Sequence, residues 1–182
     1  MKSWIGLVLV FVLIVGAPFI GFPKGDECYH DVAARAAEYF GIEKYEYEIS
    51  FVSGTLVNAS GEEIEGNFNI RTADSNTFRE IFVIRVKTSL SRPATIATIF
   101  HEMAHAAAYK YEVENDGYTD EQQAELLAFD AMWQTRYWWN AVHMLYLHSF
   151  FMKPSDYLTP KKLWWGAITG SRTIAFTPHA VI

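Results

Sequence analysis

The stretch that most constrains this chain is Pro93 to Tyr111, an alanine-rich run with apolar residues at Ile96, Ile99, Phe100, Met103 and Ala107. That spacing predicts a half-buried helix with one apolar side. Inside it stands His101-Glu102-Met103-Ala104-His105. Residues four apart lie one above the other on a helix, so both imidazoles face the same point in space. A zinc ion needs that arrangement, because each neutral ring nitrogen must reach it at about 2.0–2.1 Å. Glu102 sits one residue round, beside such an ion, placed to take a proton from a water the metal activates. The bland alternative is two histidines and a glutamate solvated on a helix surface. Chance would supply the pattern on the order of once in a hundred chains of this composition.

A second helix is predicted from Thr119 onward. Thr119 and Gln122 have the spacing of a capping box. The preceding loop, Glu112 to Tyr118, contains Asn115-Asp116-Gly117, a chain-turning signal. A short loop favours an antiparallel pair and brings the new helix start back towards the histidines. Glu121 is then the natural third ligand. Glu125, one turn on, can accept a hydrogen bond from the free N–H of a ligand histidine. Acidic residues in a first turn also occur simply because they complement the helix dipole.

Together, His101-Glu-x-x-His105 and Glu121-x-x-Ala124-Glu125 resemble the gluzincin zinc metallopeptidases over roughly residues 80 to 132. The resemblance implies His101, His105 and Glu121 as ligands of one Zn2+ per chain, Glu102 as general base, and a protein or peptide as substrate. Family members usually carry Asp at the position of Glu125. The extended version, with a glycine and a third histidine, is absent, since Ala108 and Tyr111 stand in those places. The family donates a hydrogen bond to the oxyanion from a His or Tyr beyond the third ligand. Tyr137, His143, His148 and Tyr157 are the candidates, and nothing in the sequence chooses among them.

The chain begins differently. Ser3 to Phe22 is a run of 20 residues without a charge, long enough to cross a bilayer at about 1.5 Å per residue. Residues 1–25 are therefore read as a transmembrane anchor or signal peptide, and 26–182 as the catalytic domain. Lys2 before the run, and Lys24, Asp26 and Glu27 after it, weakly favour the domain on the outer side. If the segment is cleaved, the protein is secreted. A net charge of −6 without a basic stripe argues against a nucleic-acid partner. The single cysteine, Cys28, has no partner for a disulfide within the chain and is expected to be a buried structural thiol. Asn58-Ala-Ser60 is a glycosylation sequon, meaningful only in a host with that machinery.

Between the apolar segment and the histidines, a helix is predicted from Asp26 to Phe40, stopped by Gly41, with His30 on the surface. Strands follow at Tyr45 to Leu56, Ile64 to Arg71 and Glu80 to Lys87, separated by turns at Ala59–Glu62 and Ala73–Asn76. In the family this chain resembles, an edge strand of such a sheet binds substrate backbone. Beyond Asp130 the chain turns aromatic, with Trp133, Tyr137, Trp138, Trp139, Tyr146, Phe150, Phe151, Trp164 and Trp165. Arg136 to Met152 reads as helix, with Asn140, His143, His148 and Ser149 arguing against a membrane span. Its aromatics suit either core packing on the histidine helix or headgroup-level contact with a membrane.

The expected fold is α+β and zincin-like: a small antiparallel sheet packed on the histidine helix, with the third-ligand helix beside it. The expected reaction is hydrolysis of a peptide bond by a zinc-activated water. The competing expectation is a non-proteolytic membrane-anchored zinc-binding or interaction protein, its site closed or degenerate.

Overall fold

The computed structural model describes residues 28–72, 79–113 and 117–147. The elements are α1 (Tyr29–Phe40), β1 (Tyr47–Val52), β2 (Leu56–Val57), β3 (Glu63–Ile64), β4 (Gly66–Thr72), β5 (Glu80–Lys87), α2 (Arg92–Lys110), α3 (Asp120–Gln134) and α4 (Trp138–Leu147). This is an α+β arrangement. The N-terminal apolar segment and residues 148–182 lie outside the described residues. Among those described, no helix is long and apolar enough to cross a membrane.

α1 buries Val32, Ala33, Ala36, Ala37 and Phe40 on one stripe. It ends as its sequence demands. Gly41 takes φ 65° just past the last turn, where a side chain would be strained. The Gly41 and Ile42 N–H groups then close onto the carbonyls of Glu38 and Ala37, which satisfies the orphan carbonyls of the helix end.

The main sheet corrects one expectation. Its order is β1-β5-β4, and while β4 runs antiparallel to β5, β1 pairs with β5 in parallel. The sheet is mixed, not antiparallel. β5 occupies the centre because it is the most apolar strand, with Phe82, Ile84 and Val86 buried towards the helices. The long strands expected on either side are also interrupted. Tyr45 to Leu56 yields β1 and then, after a break at Ser53–Thr55, β2; a separate β2–β3 hairpin precedes β4. Asn58 shapes the hairpin turn, its Oδ1 accepting from the N–H groups of Ser60 (3.0 Å) and Glu62 (2.9 Å). That local bonding replaces ladder pairing, as Asn side chains in turns do.

α2 starts at an N-cap Ser91, whose side chain accepts from Ala94 N–H, with Pro93 in the first turn where its missing N–H is harmless. The expectation of a half-buried helix understates it. Thr95 to Phe100, Glu102 to Ala104, Ala106 and Ala107 are all buried, because α1, the sheet, α3 and α4 each pack against α2. α3 opens with the expected capping box: Thr119 Oγ1 accepts from Gln122 N–H at 3.2 Å, and Gln122 Oε1 accepts from Thr119 N–H at 3.0 Å. α4 begins at Trp138, two residues later than the predicted helix, and the predicted stretch beyond Leu147 lies outside the described residues. Cys28 is exposed, against expectation, because it caps α1 from outside the core.

Candidate metal centre

α2 presents His101 and His105 on one side, with the rings 4.8 Å apart and nearly perpendicular. Their Nε2 atoms approach to 3.1 Å. The first turn of α3 delivers Glu121, whose Oε2 lies 3.1 Å from His101 Nε2 and 3.5 Å from His105 Nε2. Three ligand atoms from two helices thus form a near-equilateral triangle. Zinc held tetrahedrally at about 2.05 Å from each ligand needs separations of about 3.3 Å between them. The observed triangle fits that requirement.

The tautomers agree with it. His101 Nδ1 faces Glu125 Oε2 at 3.2 Å, and a carboxylate there can only accept, so Nδ1 carries the hydrogen and Nε2 offers a lone pair. Glu125 itself is buried at 2 % exposure. Phe68 of β4 lies flat over the His105 ring, 6.2 Å between centroids and 9° between planes.

The convergence of acceptors calls for a cation. Burial pulls the His101 pKa down, but hydrogen bonds to Glu121 and Glu125 and the charges of Glu102 and Glu125 outweigh it and push it up to about 10. Glu121 is held well below the ordinary carboxylate range, chiefly by its hydrogen bonds to His101 and His105. Without a metal, a proton takes the central place.

Glu102 is buried, with its carboxylate against the start of β4 in the cleft that the triangle also lines. A Cβ at Gly66 would collide with Glu102 Oε1 and lie 2.7 Å from its Cγ and 2.6 Å from Thr98 Cγ2. Only a glycine lets the strand come this close. Burial raises the Glu102 pKa, with the Glu121 charge adding to it and His101 and His105 opposing. A carboxyl tuned upward is better matched to taking and returning a proton near neutrality.

These groups line a cleft of about 860 Å³, within the range of ligand sites. Its lining comes from Gly66, Asn67 and Phe68 of β4, from α2 between Ala94 and Tyr109, from Asp120, Glu121 and Gln123 of α3, and from Met144 of α4. Tyr109 is held by its hydroxyl donating to Glu80 Oε1 at 3.0 Å.

The candidate oxyanion donors fare differently. Tyr137 is buried edge-on against Phe100, 5.2 Å between centroids, and does not line the cleft. The side chain of His143, and all of His148 and Tyr157, lie outside the described residues. Sequence reasoning missed Gly66 and the placing of Phe68 over His105. An isolated glycine opening a strand is the signal that points to a close backbone approach.

Comparisons of the chain with protein-family models, with curated proteins and with solved structures returned no match. The site therefore stands on its own geometry.

Proposed function

We propose that this chain is a zinc-dependent metallopeptidase of the gluzincin kind, with a zincin-like domain held at a membrane by residues 1–25. The observation that carries the proposal is the triangle of His101 Nε2, His105 Nε2 and Glu121 Oε2, with Glu102 beside it in an open cleft. His101, His105 and Glu121 hold the ion, and Glu125 fixes the His101 tautomer. When bound, zinc supplies Lewis-acid polarisation of the scissile carbonyl and acidifies a water towards a pKa of about 7.

The chain's own groups do the rest. Glu102 accepts the proton of the attacking water and returns it to the leaving amine. Its raised pKa suits both halves of that task. β4 pairs on one side with β5 and lines the cleft with its first residues. Its other edge offers backbone N–H and C=O groups to an extended peptide, a mode that reads little sequence.

The test is hydrolysis of an unfolded protein such as casein by the detergent-purified chain, before and after treatment with a zinc chelator. Activity lost on chelation and restored by zinc supports the reading. Activity indifferent to chelation, or absent from zinc-loaded protein, contradicts it.

A further inference from the structure

Three first turns lie at one end of the domain. The Arg92 guanidinium, at the start of α2, stands 5.6 Å from the ring of Tyr29, the first residue of α1. Asn140, in the first turn of α4, is buried and donates from Nδ2 to the Pro93 carbonyl at 3.1 Å. The entry into α1 and the start of α4 therefore flank the same turn of α2. Immediately before Asn140 come Trp138 and Trp139, stacked 3.9 Å apart. Trp133, near the end of α3, stacks on Phe129.

This corner is unusual in what it exposes. Trp133 is 51 % and Trp138 42 % exposed, with Arg136 exposed between them. Two exposed indoles within six residues of one another, at the junction of two helices, mark a candidate interaction surface. The chain outside the described residues says which. Five residues separate Phe22, the last of the apolar run, from Cys28. The six steps from Phe22 to Cys28 reach at most about 20 Å. If residues 3–22 are in a bilayer, this end of the domain stays within about 20 Å of its surface. Tryptophan and arginine are the residue types that settle at headgroup depth, indole half in the apolar layer and guanidinium at the phosphates.

We propose that the α3–α4 corner, through Trp133, Trp138 and Arg136, docks on the phospholipid headgroup layer of the membrane that holds the N-terminal segment. The inference rests on the anchoring part of the function proposed above. It also sets the height of the cleft. His101 is nine residues beyond Arg92, about 14 Å along the axis of α2. The first histidine of the pair thus lies within about 14 Å of that end of α2.

The experiment uses the full chain in phosphatidylcholine–phosphatidylglycerol vesicles whose acyl chains carry bromine either near the carbonyls or near the bilayer centre. One variant (W4F, W139F, W164F, W165F) keeps only Trp133 and Trp138; a second keeps only Trp4. We expect emission of the corner pair to fall about twofold with bromine near the carbonyls and less with deep bromine. Because both indoles are exposed, W133S/W138S spares the core, and the difference between wild type and this variant gives the same readout without the other substitutions. Corner emission that bromine does not quench overturns the proposal. A blue-shifted, unquenched signal assigns the patch to residues 148–182 or a second copy instead. The Trp4 variant reports the anchor separately: quenching there without quenching at the corner refutes the docking alone, and no quenching at Trp4 refutes the anchor.

Discussion

Glu125 Oε2 lies 3.2 Å from His101 Nδ1 across the α2–α3 interface, and it is one of the most deeply buried polar groups in the domain. The contact fixes which His101 nitrogen carries hydrogen and leaves the other aimed at Glu121 and His105. In the proposed zinc site, a carboxylate so placed orients the ligand histidine and raises its basicity. We expect Glu125→Gln to lower zinc affinity by about 10–100-fold. Competition against a chromogenic chelator measures this; an unchanged affinity would assign Glu125 to packing alone.

Gly66 tests the placing of Glu102, the proposed base. Gly66→Ala puts a methyl group where Glu102 Oε1 and Thr98 Cγ2 now lie. Because a displacement of about 1 Å at a reacting group can cost about 100-fold in rate, hydrolysis should fall on that order while zinc content stays at the wild-type level. Loss of zinc and activity together would show that the β4 approach supports the whole centre.

The pH behaviour of the metal-free chain follows from the central proton. The His101 pKa is raised from 6.5 to about 10, so its contribution to stability is full below 6.5 and lost as pH rises through 10. That of Glu121 is lowered from 4.5, so its contribution is full above 4.5 and lost as pH falls below that value. The two are complete together only between about 4.5 and 6.5. Metal-free protein should therefore show its highest Tm in that window as far as this site decides it. Zinc must displace the His101 proton, so its apparent affinity should rise about tenfold per pH unit between 7 and 9. Calorimetric titrations across that range check the slope; a flat profile contradicts a protonated His101.

The Thr119–Gln122 capping box encloses Glu121. Thr119→Ala removes the acceptor for Gln122 N–H, a loss of about 1 kcal/mol and of about 2–4 °C in Tm. The frayed first turn carries Glu121 with it, so zinc affinity should drop more than the Tm shift alone explains. Parallel melts with and without zinc separate the two effects.

Local signals were legible where they are self-contained. The capping box, the stop at Gly41 and the bounds Glu80–Lys87 can all be read from neighbouring residues. The closeness of Glu121 to the two histidines follows from a short loop turned by Gly117, which takes φ 85°. Partners at a distance were not legible. Alternation in Tyr45–Ile49 sets which face is inward, but not that β1 lies parallel to β5. The burial of α2 on nearly every side hides in its alanines, since Ala104 and Ala106 are equally at home on a surface. Gly66 looks like any strand glycine until Glu102 is found against it. The break at Glu65 falls where the chain changes partner, from β2 for β3 to β5 for β4, a switch that depends on distant strands.

The most direct measurement is zinc content and casein cleavage on one detergent-purified sample, wild type beside Glu102→Gln. The proposal predicts about one zinc per chain in both proteins, with cleavage in the wild type and none in the variant. A chain purified without zinc that fails to take it up, or a Glu102→Gln protein that cleaves as fast as the wild type, would contradict it.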